Sequence, residues 1–211
     1  MRVNISKKLY YVLRRLASEG LWRTSESVVF CRLCAMDSGI EPPRSHSGLE
    51  TRIAEKPADV IAWRNDGADF ISTTIFDDIC ENFTPAARFY CVFADNTLAH
   101  WSRMTTDVTD KNFRDLFEPL AETRGVFLGP CYTNPVFRGR RIYGQTLERI
   151  CQDAAQAGIR DAFIHTRPEN TNSFAGITHA GFELFARVTQ TRILFWSRWS
   201  ARCEESSNHE I

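Results

Sequence analysis

The sequence predicts an α/β (α+β) domain with a mixed central sheet flanked by helices, preceded by an N-terminal helix-strand extension. Residues 125–166 read as strand, basic turn, amphipathic helix and second strand, a unit of the length that joins parallel neighbours by a right-handed crossover. Phe89 to Met104 reads as an antiparallel hairpin about an Asp95-Asn96 turn, and Leu184 to Trp199 alternates as one or two closing antiparallel strands. A chain of 211 residues, 43% hydrophobic and 12% aromatic, can bury the core that such a sheet needs.

In chain order, residues 5–19 read as a helix ended by Gly20, with Leu9, Val12, Leu13 and Leu16 in one stripe and Lys7, Lys8, Arg14 and Arg15 near it. Such a helix suits packing on its own domain or on a second copy in a homodimer. Its basic face also suits peripheral contact with a membrane surface. Ser27 to Met36 is a strand candidate, and Asp37 to Ser47, with Gly39, Pro42 and Pro43, is the clearest linker. These elements make residues 1–46 an extension and 47–202 the domain, with 203–211 a polar tail. Leu49 to Ile53 reads as a short strand and Pro57 to Asn65 as a short helix entered through its proline. Phe70 to Asn82 mixes β-branched and acidic residues and has no assigned state. Asp110 to Leu120 suits a short helix or a covering loop.

The chain carries 26 basic and 26 acidic side chains, so nothing in its overall charge points to nucleic acid, and a polyanion site must be local. Its seven cysteines, an odd number spread through apolar runs, read as reduced thiols of a cytoplasmic protein. Cys31-Arg-Leu-Cys34 has the spacing of a zinc or redox pair, but no second pair with matching spacing follows, and the sequence assigns no metal site. The first twenty residues lack the long uncharged core of a signal peptide.

The local polyanion candidate is Arg138-Gly-Arg-Arg-Ile-Tyr-Gly144. It follows an apolar strand and Asn134-Pro135, and it opens a helix with Leu147, Ile150, Cys151 and Ala154 on one face. The first turn of a helix has backbone N–H groups without intrahelical partners and the positive end of the dipole. Arg138, Arg140 and Arg141 add charge, while Gly139 and Gly144 permit close backbone approach, which together describe a phosphate site.

Two segments at this separation resemble the GCN5-related N-acetyltransferase (GNAT) family, over residues 124–185. The first is Arg138-Gly-Arg-Arg-Ile-Tyr143 followed by Gly144, with Pro135-Val-Phe-Arg-Gly as lead-in. It is similar to the family's Arg/Gln-x-x-Gly-x-Gly/Ala turn, with Arg141 and Tyr143 where small residues are expected. The second is Asn170, Ser173, Ile177, Gly181 and Phe182, at the spacing of the family's Asn-x-x-Ser/Ala segment. The resemblance implies a GNAT-like sheet and acetyl-coenzyme A as cosubstrate. It also implies transfer of the acetyl group to a primary amine of a small molecule, amino sugar or protein. Backbone amides of residues 138–144 would grip the pyrophosphate, including those of Ile142 and Tyr143, and Asn170 and Ser173 would lie near the pantetheine arm. A backbone N–H near Tyr132 or Thr133 would serve the developing oxyanion between strands 126–133 and 161–166.

The family's tyrosine acid is absent, because Ile177 occupies its position, and the strand 126–133 carries no acidic residue to act as base. Tyr132, Tyr143 and His165 are the candidate substitutes. The alternative reading is a non-catalytic coenzyme A- or nucleotide-binding sensor or scaffold with the same fold.

Overall fold

The computed structural model describes residues 22–34, 48–107, 110, 113, 125–193 and 196–203. The described elements run β1 (Trp22–Leu33), β2 (Leu49–Ala54), α1 (Pro57–Asn65), α2 (Thr73–Glu81), β3 (Ala87–Ala94) and β4 (Thr97–Thr105). They continue with β5 (Val126–Thr133), a 3-10 turn (Pro135–Phe137), α3 (Ile142–Gln156), β6 (Asp161–Thr166), α4 (Thr171–His179), β7 (Glu183–Ile193) and β8 (Trp196–Cys203). One mixed sheet has the order β2-β3-β4-β5-β6-β1-β7-β8. Every neighbouring pair is antiparallel except β5 and β6. The helix expected over 5–19, the linker over 37–47, the tail after 203 and most of 110–120 lie outside the described residues.

Local chemistry accounts for the element starts. Pro57 opens α1 where its missing N–H costs nothing, and Asp59 Oδ2 accepts from the N–H groups of Lys56 and Glu55. The segment left unassigned by sequence forms α2, because Ser72 Oγ accepts from Ile75 N–H and caps a turn whose apolar face then meets the sheet. Asp95 and Asn96, with φ of 46° and 63°, make the two-residue turn between β3 and β4.

The strand read as part of an extension lies inside the sheet. β1 pairs with β6 on one side, Val28 opposite Thr166, and with β7 on the other, Val28 opposite Arg187. Both faces of its Val28-Val-Phe-Cys run are buried. Val28 and Phe30 join the core under α3 and α4, and Val29 and Cys31 join a cluster with Phe127 and Phe163 on the far face. Cys31 and Cys34 thus belong to cores on opposite faces of the sheet. The far face has a second cluster, Val60, Ile79, Phe89, Phe93 and Trp101, beneath α1 and α2.

Arg103, fully buried on β4, ties the covering segments to the sheet. Its Nε donates to Asn82 O at 2.8 Å and one terminal nitrogen to Asp110 Oδ2 at 2.5 Å. Removing one member of a buried ion pair strands the other charge. Asp110→Ala is expected to lower the free energy of unfolding by about 3–5 kcal/mol in urea titration, whereas an Arg103→Met/Asp110→Leu double variant should recover part of that loss.

Candidate functional site

A notch opens where β5 and β6 part. Their parallel ladder runs only from Val126 opposite Ala162 to Leu128 opposite Ile164. Beyond it β5 stays paired with β4 as far as Thr133, and β6 with β1 as far as Thr166. The β4–β5 register shifts between Ser102 and Met104, so Gly129 and Pro130 form a bulge that bends β5 at the point of departure. Asn134 N–H donates to Ala99 O on β4 at 2.9 Å. Alternation along the strand then turns the N–H of Tyr132 toward β4 and those of Cys131 and Thr133 into the notch.

The first turn of α3 stands at the mouth of this notch. Arg141 is its N-cap residue, at φ 60° and ψ 11°, and no side chain caps the first turn, which leaves the N–H groups of Ile142, Tyr143 and Gly144 without intrahelical partners. A left-handed backbone costs a non-glycine residue about 1–2 kcal/mol. Arg141 therefore adopts the conformation for which a glycine is expected at this position. Gly139, at φ 76°, supplies the second left-handed turn. Arg138, Arg140 and Arg141 are exposed. Arg138 Nε donates to Thr133 O at 3.3 Å, and the Arg140 guanidinium lies over the Phe137 ring.

Tyr143 fits a slot between α3 and α4. A Cβ added at Gly176 would meet the Tyr143 ring at 2.6 Å, so only glycine at 176 admits this side chain. The ring approaches His100, with centroids 5.6 Å apart, and the hydroxyl reaches Ser173 Oγ at 3.4 Å and the Cys131 thiol. Burial raises the phenol's pKa, and Cys131 raises it further. Ser173 also donates its N–H to Asn170 Oδ1 at 3.2 Å, which makes Asn170 the cap of α4. Ile177, one turn after Ser173, is fully buried in the core under α3.

The residues proposed from sequence thus fall into two groups. Thr133, Arg138 to Gly144, Asn170 and Ser173 gather around the mouth of the notch on the α3/α4 face. Tyr132 and His165 have their side chains on the opposite face, Tyr132 against the cluster under α1 and α2 and His165 edge-on to Phe113. Burial lowers the pKa of His165 from 6.5 to about 4, so its ring is neutral at physiological pH.

His100, Ser102 and Cys131 are not among the site residues proposed from sequence. Strand alternation groups His100, Ser102 and Met104 opposite Trp101, and strand pairing makes theirs the α3 side.

No protein-family model matches the sequence, and no curated protein resembles it in sequence. Solved structures resemble it in fold. A GCN5-related N-acetyltransferase from Sphaerobacter thermophilus has a TM-score of 0.53 at 14% identity, covering 88% of this chain and 56% of its own. A Drosophila protein has a TM-score of 0.53 at 11% identity, covering 90% of this chain and 59% of its own. A functionally unknown conserved protein from Staphylococcus epidermidis has a TM-score of 0.50 at 7% identity, covering 91% of this chain and 69% of its own. The chain spans less than two thirds of the length of the first two. The likeness is one of fold: an eight-stranded mixed sheet flanked by helices, as in the GCN5-related N-acetyltransferases. No helix among the described residues is long and apolar enough to cross a membrane.

His100, fully buried, and His165, half-buried, set a pH dependence. Their pKa values fall from 6.5 to about 3 for His100 and about 4 for His165, so below about pH 6.5 the unfolded chain binds protons that the folded chain refuses. Stability is expected to decline as pH falls through this window, by about 1.4 kcal/mol per pH unit for each histidine. Urea unfolding from neutral pH to about pH 5 should show a shallower decline for His165→Gln than for the wild-type chain.

Proposed function

We propose that this chain, with the fold of the GCN5-related N-acetyltransferases, is an acyl-coenzyme A-dependent N-acyltransferase that moves an acetyl group to a primary amine. The observation that carries this reading is the placement of an uncapped, arginine-rich helix start at the mouth of a notch between two parallel strands. A helix start of this kind suits a pyrophosphate, and a parted strand pair suits an extended amide-containing arm. Coenzyme A has both parts, and its thioester supplies the activated acyl group.

In this reading the open N–H groups of residues 142–144, with Arg138 and Arg141, hold the pyrophosphate. The notch-facing N–H groups of Cys131 and Thr133 donate hydrogen bonds to the arm and to the oxygen that becomes negative in the transition state. Tyr143 supplies the proton for the leaving sulfur. Its hydroxyl stands beside Ser173 on α4, one helical turn from the position at which the family's tyrosine is replaced by Ile177. The acceptor amine enters from the opposite face, where Tyr132 and the neutral His165 are available to accept a hydrogen bond from it. The alternative, a coenzyme-binding protein without turnover, draws on the loss of the tyrosine at 177.

Acetyl-coenzyme A at a hundredfold excess over its dissociation constant is expected to stabilise the fold by about 2.7 kcal/mol, read as a thermal shift. Thiol release with a panel of primary amines tests the transfer. Stabilisation without release from any amine would favour the non-catalytic reading, and no stabilisation would remove both. Tyr143→Phe should lower kcat by about 10²-fold with little change in coenzyme affinity. Arg141→Gly, by relieving the left-handed strain, should stabilise the fold by about 1 kcal/mol while weakening coenzyme binding in calorimetric titration.

A further inference from the structure

A line of hydrogen-bonding side chains runs along the α3 face of β4 and β5, from the end of β5 to Tyr143. His100 Nδ1 lies 2.8 Å from Thr133 Oγ1, and its Nε2 lies 2.7 Å from Ser102 Oγ. Cys131 sits directly opposite Ser102 across the β4–β5 pair, where its thiol meets the Ser102 side chain, the Arg103 backbone and the Tyr143 hydroxyl. His100 and Ser102 are fully buried, while Thr133 is only half-buried at the far end. We infer that Thr133, His100, Ser102 and Cys131 form a proton-carrying chain that positions the Tyr143 hydroxyl and returns a proton to it from solvent. This inference rests on the acyltransferase reading.

The chemistry of the members fits the role. Hydroxyl, thiol and neutral imidazole each donate one hydrogen bond and accept another, so a line of them can reverse its direction without any member being charged at rest. Each is held neutral. Burial lowers the pKa of His100 to about 3 and raises that of Cys131 to about 11, and the Tyr143 phenol is raised as well. The high thiol pKa also argues against Cys131 as an acyl-accepting nucleophile, since the thiolate would be scarce.

The proton count closes. The amine nitrogen forms a bond to the acyl carbon, the carbon–sulfur bond breaks, and the thiolate takes the Tyr143 proton. Cys131 passes its proton to Tyr143, Ser102 to Cys131, and His100 Nε2 to Ser102, while Nδ1 takes a proton from Thr133. Thr133 is restored from water, and the proton lost by the amine returns to solvent. In this scheme Tyr143 is the catalytic residue and His100, Ser102 and Cys131 are positioning residues.

The test compares Cys131→Ser, which keeps a group that donates and accepts, with Cys131→Ala, which cuts the line at nearly the same volume. The first readout uses the free protein: the ring-nitrogen NMR signals of His100. They should show one neutral tautomer in the wild type, move in Cys131→Ala and return toward wild type in Cys131→Ser. The second readout is turnover, where Cys131→Ala should lower kcat at least tenfold at unchanged KM and Cys131→Ser should restore most of it. His100 signals indifferent to Cys131→Ala, or equal kcat for the two variants, would overturn the chain. Failure of the wild type to bind or turn over acetyl-coenzyme A would instead overturn the acyltransferase reading, and with it the proton's destination, while the NMR result would still decide whether the line exists.

Discussion

The parting of β5 from β6 is the constraint on which the site depends. A strand that leaves its neighbour exposes a row of unpaired N–H and C=O groups, which is unfavourable unless both strands are anchored elsewhere. Here the outer edges do the anchoring. β4 follows β5 past the bulge at Gly129-Pro130, and β1 follows β6 to Thr166. The notch is therefore rigid on both walls, and the helix that stands at its mouth is fixed by Leu147, Ile150 and Cys151 in the core below. A rigid gap lined by backbone amides is preorganised for a polar chain, so little ordering remains to be done on binding.

The departures from the family's turn prove to be connected. The small residue expected at 143 is a tyrosine, and the room it needs is found across the helix pair at Gly176, against which its ring lies. The tyrosine expected at 177 is an isoleucine in the core, and the hydroxyl of Tyr143 reaches the same face of α4 one turn earlier. Position 141 keeps the left-handed backbone while giving up the glycine, which places a third guanidinium at the helix start. Each substitution, taken alone, weakens the motif. In the fold they exchange places around one slot.

Much of this was legible in the residues. Hydrophobic periodicity and punctuation located the hairpin about Asp95-Asn96, the helix opened by Pro57 and the strand–turn–helix–strand unit at 125–166, because local chemistry decides such features. The helix at 73–81 was obscured by its Thr, Ile and Asp residues, whose propensities are outweighed by the Ser72 cap and by burial of Ile79. The interior place of β1 left no local trace. Its Val-Val-Phe-Cys run says that both faces are buried, but nothing in it names β6 and β7 as partners. In the site, the cationic turn was readable from composition, whereas which strand face carries His100 and Ser102 depends on register, which one bulge can invert.

The interior position of β1 also bears on how the molecule assembles. β1 is made before every other described strand, yet its partners lie at residues 161–166 and 183–193, near the other end of the sheet's sequence. Contacts of such long sequence separation slow folding, because the intervening loop must close before they form. During synthesis the run Val28-Val-Phe-Cys must wait, apolar on both sides and unpaired, until β6 and β7 emerge. Its safest early company is a chaperone, and a chain interrupted before β7 would be left with that apolar run exposed.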